Sequence, residues 1–469
     1  MPIEKIPLTP PSMNAEELGL KGYSAMIVDG YLDENGNLMR RPGLTELCDL
    51  GTSAAVDGLF WWQDYEKCIA ISNGEVHEIT ASDGTNSEIA SDGETFEVGT
   101  RPILSQHGTS LYGANGGKII KIPYTGNHDE IADDGEGSAP TTVTHTAVLD
   151  RYLIANEAST GNFHNSHVNE PEQFDGDQAE AEAKKDDIVA LAMADLELYL
   201  MGKRSLEVWH DDGSTPFTRL YQGFIDSGTI APYSFTRCQN NWFWLDLHRQ
   251  VVRLNGRQAQ PVSTAIGKYI DGFSQVTDCL GDFIIFNGRP FFVLTFKTAK
   301  ETLALDLSTG FWYVWGYWNG TDHDHWRGNC ATICPAWNMT LIGDHSNGKI
   351  YKLDSTNYQD NGSTLKTLIR TNHINRGTED IRKACHKLTF RLKRTNVSEE
   401  ADIKNILVRY RDNGSTTYKS ERTVAVGQVG DTEFRGETYM LGSYYSRQWE
   451  FYITDNAALT LVSVEESYS

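Results

Sequence analysis

No apolar run in this 469-residue chain approaches the roughly 20 residues a membrane-spanning helix needs, so no such helix is expected. Basic charge is scarce as well. There are 41 Lys and Arg against 64 Asp and Glu, a formal charge of −23. Proteins that grip nucleic acid neutralise its phosphates with clustered cations, and this balance argues against such a grip. The seven cysteines (Cys48, Cys68, Cys238, Cys279, Cys330, Cys334 and Cys385) are odd in number and scattered, with no Cys-x-x-Cys. That excludes a disulfide framework and predicts buried thiols in a reducing compartment. The start, "MPIEKIPLTPPSMN", lacks the charged-then-apolar pattern of a secretory signal, so secretion is not expected. Phosphate-loop, dinucleotide-loop, nucleophile-elbow and His-Glu-x-x-His motifs are missing too. "GANGGK" (Gly113–Lys118) has neither the spacing nor the hydroxyl of a phosphate loop and reads as a hairpin.

What the chain does have is acid in runs, "NHDEIADDGEG" (Asn127–Gly137) and "EPEQFDGDQAEAEAKKDD" (Glu170–Asp187). Each run taken singly is a solvated loop. Taken together they suit a surface along which DNA slides because it is repelled.

The chain also has β-structure almost throughout. Short runs of Val, Ile, Tyr, Phe, Trp and Thr alternate with Gly, Asn and Asp. Only "AEAEAKKDDIVALAMADL" (Ala179–Leu196) resembles a helix, and its second half reads equally as a strand. Asn73-Gly74 fits a two-residue hairpin turn, and Asn115–Gly117 and Asn347-Gly348 mark two more. Weaker turns near Gly161, Lys203, His248 and Ala299 complete a series with steps of about 42 to 51 residues. One four-stranded propeller blade takes about 40–50 residues. The predicted fold is all-β: a β-propeller of about seven blades, with an additional C-terminal β-sandwich-like domain. A stack of β-sandwiches is the rival. The expected divisions are an N-terminal arm and hairpin (1–50), the propeller (51–354) and the C-terminal β domain (355–469). The last is relatively basic, with Arg370, Arg376, Arg382, Lys383, Lys387, Arg391, Lys393 and Arg394.

Candidate chemistry is thin. "GTDHDHWRGNCATIC" offers Asp322, His323, Asp324, His325, Cys330 and Cys334, ligand types that suit zinc. Its spacing matches no usual zinc site, and both cysteines fall on an apolar strand, so a polar loop beside a core strand is preferred. "RYRDNGSTTY" resembles the Asp-box hairpin of sialidase propellers through Asp412, Gly414 and Thr416, but Tyr418 stands one place late. Aromatic stretches such as "FWYVWGYWNG" (Phe311–Gly320) could stack on sugars; core packing between blades is the preferred reading. No catalytic, cofactor or metal residues are assigned. The alternative function is a glycan-binding or glycosidase-like propeller.

The order of parts resembles a known family. A hairpin (Ala25–Arg41), a Pro42-Gly43 corner, a long propeller-like middle and a C-terminal β domain with "RYRDNGSTTYKSERTV" and "GSYYSRQWEFYITD" are similar to the tail hub, or packaged-DNA stabilisation, proteins of P22-like short-tailed phages. The resemblance implies a structural, non-enzymatic nozzle in the virion tail, assembled in the host cytoplasm. It implies a homo-hexameric ring below the portal and head–tail adaptor that carries a needle or plug and tailspikes or fibres. Double-stranded DNA would pass through without specific binding, and no membrane or cofactor is involved. Within "GNLMRRPGLTEL", Arg40, Arg41, Pro42 and Gly43 are the interface guess. Pro42 fixes φ, Gly43 permits a sharp turn, and the two arginines would meet a partner's carboxylates. The plainer reading pairs them with acids of their own chain at a strand end.

Overall fold

Each of the predicted turns joins the second and third strands of a four-stranded antiparallel meander. A computed structural model describes residues 2–8, 25–131, 139–174, 178–181, 184–214, 217–377, 380–393, 405–426 and 433–469. Parts of both acidic runs lie outside these residues. The first meander runs Val56–Trp62, Lys67–Ser72, Glu75–Ile79 and Asn86–Ile89. Its central turn has φ of 57° at Asn73 and 79° at Gly74, the double positive φ that a type I′ turn demands. Four more sheets of four strands follow, over 103–130, 146–180, 188–225 and 236–261. Two further meanders are built into larger sheets. One (279–315) begins a nine-stranded sheet. The other begins a six-stranded sheet with Gly328–Cys334, Met339–Asp344 and Lys349–Asp354, and takes its outer strand, Gly43–Asp49, from the start of the chain.

The fold is therefore an all-β propeller. First strands of successive meanders pack side by side, with Pro232–Ser234 bridging one step, and Gly328–Cys334 closes the ring on Val56–Trp62. Side chains meet across the middle. Arg101 donates to Gly281 O at 2.8 Å and to Asp282 at 3.0 Å, and also reaches Asn329 O. His145 stacks on Tyr233 with centroids 5.4 Å apart.

The ambiguous stretch resolves as strands. Gln178–Glu180 ends one sheet and Ile188–Ala194 begins the next. As an innermost strand the latter packs on both faces, Leu191 into one core cluster and Ala190 and Ala194 into its neighbour. Burial on two sides makes a near-continuous apolar run that periodicity alone cannot tell from a helix. Among the described residues the α-helix is confined to Gly267–Asp271.

The expected divisions at 50 and 354 are crossed by strand pairing. The nine-stranded sheet runs on from Trp312–Trp315 to Met26–Val28, then Thr367–Arg370, Arg447–Ile453, Asn405–Asp412 and Arg422–Ala425. A seven-stranded sheet joins Gly30–Leu32 and Leu38–Arg40 to Thr460–Tyr468, Lys383–Lys393 and Glu433–Tyr439. Both terminal sheets share one core, in which Phe390 meets Phe451 edge-on at 5.2 Å. Several basic residues of the C-terminal segment pair within the chain: Arg370 and Arg409 on buried Glu450, Arg376 on Glu466, Arg391 on Glu465.

One half-buried carboxyl makes stability depend on pH. Burial raises Glu301 to about 7, against the opposing hydrogen bond from Tyr269. The folded protein therefore holds this proton more tightly than the unfolded chain. Its contribution is full below the ordinary value of 4.5 and is lost as pH rises through about 7. Glu301→Gln should gain on the order of 1–3 kcal/mol relative to the native chain between pH 5 and pH 8.5. Denaturant unfolding at both pH values checks it, and an equal difference at both would refute it.

Candidate functional site

The start of the chain, the propeller and the terminal sheets converge on Arg40 and Arg41. Both side chains are buried, at 2% and 1% exposure. Arg41 lies where the chain leaves the seven-stranded sheet for the last meander. Pro42, with no N–H to satisfy, follows it, and Gly43 opens the outer strand of that meander.

All five N–H donors of the Arg41 guanidinium are used. Nε meets Asp29 Oδ1 at 2.7 Å. One terminal nitrogen donates to Pro42 O and Asp360 Oδ1, each at 3.0 Å. The other donates to Gly316 O at 3.0 Å and Asp360 Oδ2 at 2.7 Å. A bidentate fork on one carboxylate with the edge on a second is geometry a lysine cannot match. Burial alone would lower the guanidinium's pKa; Asp29 and Asp360 outweigh it and raise it.

Asp29 holds φ at 54°, in the left-handed region, between two strands of different sheets. Its backbone N–H donates to Val314 O, and its Oδ1 also accepts from Gly316 N–H at 2.9 Å. Its backbone carbonyl accepts from Thr367 Oγ1–H. Asp29 and Arg41 thus pin together the strand Trp312–Trp315, the terminal sheets and the last meander.

Among the described residues no carboxylate pairs with Arg40. Its Nε donates to Thr367 Oγ1 at 3.0 Å, and its terminal nitrogens reach Ala457 O at 2.9 Å and the carbonyls of Asp455 and Leu365. The Tyr358 ring lies 5.3 Å from it. Burial lowers its pKa to about 10.

The interface reading of these arginines is corrected by this geometry. Both guanidiniums are enclosed within their own chain, with all five N–H donors of Arg41 and four of Arg40 bonded inside it. The plainer expectation holds for Arg41, whose partners are acids of its own chain, and not for Arg40, whose partners are mostly carbonyls. Gly43 is a strand residue, and what requires it is the close approach of the backbone at Asn357 and Gln359.

The other candidates are scattered. His323 sits edge-on to Trp318 at 5.1 Å, with Nε2 3.0 Å from Lys366 O. His325 lies against His345 with ring centroids 4.5 Å apart. Cys330 and Cys334 point into a hydrophobic cluster with Cys48 and Cys68, where burial raises the Cys330 thiol's pKa. Among the described residues no group of three or more His, Cys, Asp or Glu could hold a metal. The Asp-box-like hairpin belongs to the terminal sheets. Asp412 takes a two-pronged bond from buried Arg447 at 2.6 and 3.0 Å, and that guanidinium lies 3.9 Å from the Tyr410 ring centre. Sequence reading missed Asp29, Asp360 and Arg101. An Asp-Gly pair at 29–30 is a weak turn signal, but nothing local marks a partner 319 residues away.

The molecule is a closed β-propeller locked to extra sheets by a buried ionic junction. The family model described as "Bacteriophage P22 Gp10, beta-propeller" matches residues 25–358. The chain belongs to that family, the tail hub or DNA-stabilisation proteins of P22-like phages, and its role is in stabilising the phage tail. No curated protein sequence matches it. Among solved structures it is similar to the RRP9 WD40 repeats (10% identity, 67% of this chain and 99% of that one, TM-score 0.43). It is also similar to the WD40 propeller domain of Doa1 (9% identity, 67% and 98%, TM-score 0.40). A third is the extracellular domain of BT4673, a putative one-component system from B. thetaiotaomicron (10% identity, 85% and 59%, TM-score 0.43).

Proposed function

We propose that the chain is the nozzle of a short-tailed phage: a ring of six copies below the portal and adaptor that extends the DNA channel, helps retain the packaged genome, and anchors a needle or plug with tailspikes or fibres. The observation that carries this is the family match across 25–358. In this reading the meanders are seven blades, the two terminal sheets form a β-sandwich, and assembly takes place in the host cytoplasm before the hub joins the virion. The DNA path runs between subunits, because Arg101, His145 and Tyr233 occupy the middle of each propeller. A charge of −23 favours passage by repulsion over binding.

The test is assembly on a purified portal–adaptor complex, followed by mass measurement and electron microscopy. Six copies in a ring below the adaptor are expected. A chain that stays monomeric on that template would overturn the proposal.

A further inference from the structure

A cavity of about 430 Å³ opens where loops of the nine-stranded and six-stranded sheets converge. It is lined by the turn that carries Lys297 and Lys300, the turn at His345 and Ser346, and the connecting segment with Asp324, His325 and Arg327. In each meander the turn between second and third strands lies at the same end as the connection to the next, so two such turns and one connection meet here. The size falls within the range of small-molecule sites.

Its charge runs against the rest of the chain. Three cations, Lys297, Lys300 and Arg327, line it beside one carboxylate, Asp324, and Arg327 is already ion-paired with buried Asp344 at 2.8 Å. Arg327 is fixed rather than consumed: Asp344 and the Tyr351 hydroxyl hold it, each 3.0 Å from one of its nitrogens, and its guanidinium lies 5.1 Å from the Tyr317 ring centre. Lys300 stands 3.7 Å from Asp324. Lys297 makes no ion pair within 4 Å among the described residues; burial together with Arg101 lowers its pKa, against the more distant attraction of Asp57 and Asp278. His325 is 8% exposed, and its Nε2 has no hydrogen-bond partner among the described residues. That nitrogen is enclosed by protein, so His325 contributes to the cavity as wall and not as a donor.

We propose that this cavity binds a phosphate-bearing small molecule of the size of a sugar phosphate or nucleoside monophosphate. A phosphate presents three acceptor oxygens to Lys297, Lys300 and Arg327, and charge-assisted bonds to it are the strong kind. Asp324 would repel a bare anion, yet it accepts from a sugar hydroxyl, which favours a phosphorylated sugar over phosphate alone.

Calorimetric titration of the full chain in chloride buffer with inorganic phosphate, ribose 5-phosphate and adenosine monophosphate tests this. Saturable binding is expected, tighter for the two sugar phosphates than for inorganic phosphate. Lys297→Ala should weaken it about tenfold or more, the loss of one charge-assisted bond, while Lys297→Arg retains most of it. Lys121→Ala, at a distant ion pair with Glu172, should leave it unchanged. No saturable binding by any of the three, inorganic phosphate binding as tightly as the sugar phosphates, or equal binding by Lys297→Ala would each overturn the proposal.

Discussion

Arg41→Ala is expected to destabilise the isolated, unassembled chain by about 3–5 kcal/mol, among the largest effects a single substitution can have here. The reason is what stays behind. Asp29 and Asp360 are each 0% exposed, and the guanidinium is the cation both of them contact. With it gone, two buried carboxyls must protonate or draw in water, and Pro42 O and Gly316 O lose a donor as well. Lysine keeps the charge but offers one compact head in place of a fork, so Arg41→Lys should recover only part of the loss. Arg40→Ala should cost less, because its partners are neutral and no buried charge is stranded. Denaturant unfolding of the purified chain gives the ranking Arg41→Ala, then Arg41→Lys, then Arg40→Ala. Native stability in Arg41→Ala, with a defect confined to ring assembly, would restore the interface reading of these residues.

How legible was this in the sequence? Local signals were read well. Asn73-Gly74 turns where the chain says it should, and the weaker turns near 161, 203, 248 and 299 all fall between second and third strands. A turn is decided by a few adjacent residues, and positive φ has a compositional signature. The route of the ends was not legible. Gly43–Asp49 passes by the nearby first meander and pairs with Lys349–Asp354, because an edge strand carries no label for its partner. For the same reason Arg40 and Arg41 looked like surplus cations seeking a partner subunit. Their own partners, Asp360 and the carbonyls of Leu365, Asp455 and Ala457, lie more than three hundred residues ahead. The pocket cations were invisible for a related cause: Lys297, Lys300 and Arg327 are ordinary loop residues until the ring closes.

Gly43→Ala should be nearly as damaging as the loss of Arg41, for a reason of space alone. The backbone at Gly43 is not in the left-handed region, so alanine could adopt its dihedrals. A Cβ built there, however, would lie 2.2 Å from Gln359 O, 2.7 Å from Gln359 N and 2.8 Å from Asn357 O. All three are backbone atoms, so no side-chain rotation relieves the clash, and the 357–359 segment must move. That segment leads into Asp360, which pairs with Leu44 and holds Arg41. Overpacking against a rigid neighbour costs about 1–3 kcal/mol, and loosening the ionic junction adds to it. Gly36 is the control. Nothing lies within 4 Å of its Cβ position, but its φ is 76°, so Gly36→Ala should cost only about 1 kcal/mol of backbone strain. The two substitutions also differ in coupling. Combined with Asp360→Asn, Gly43→Ala should be clearly non-additive, since both act on one junction, whereas Gly36→Ala should add. An additive Gly43→Ala would mean that the close approach and the ion pair are independent, and that the Pro42-Gly43 corner matters only for threading the strand.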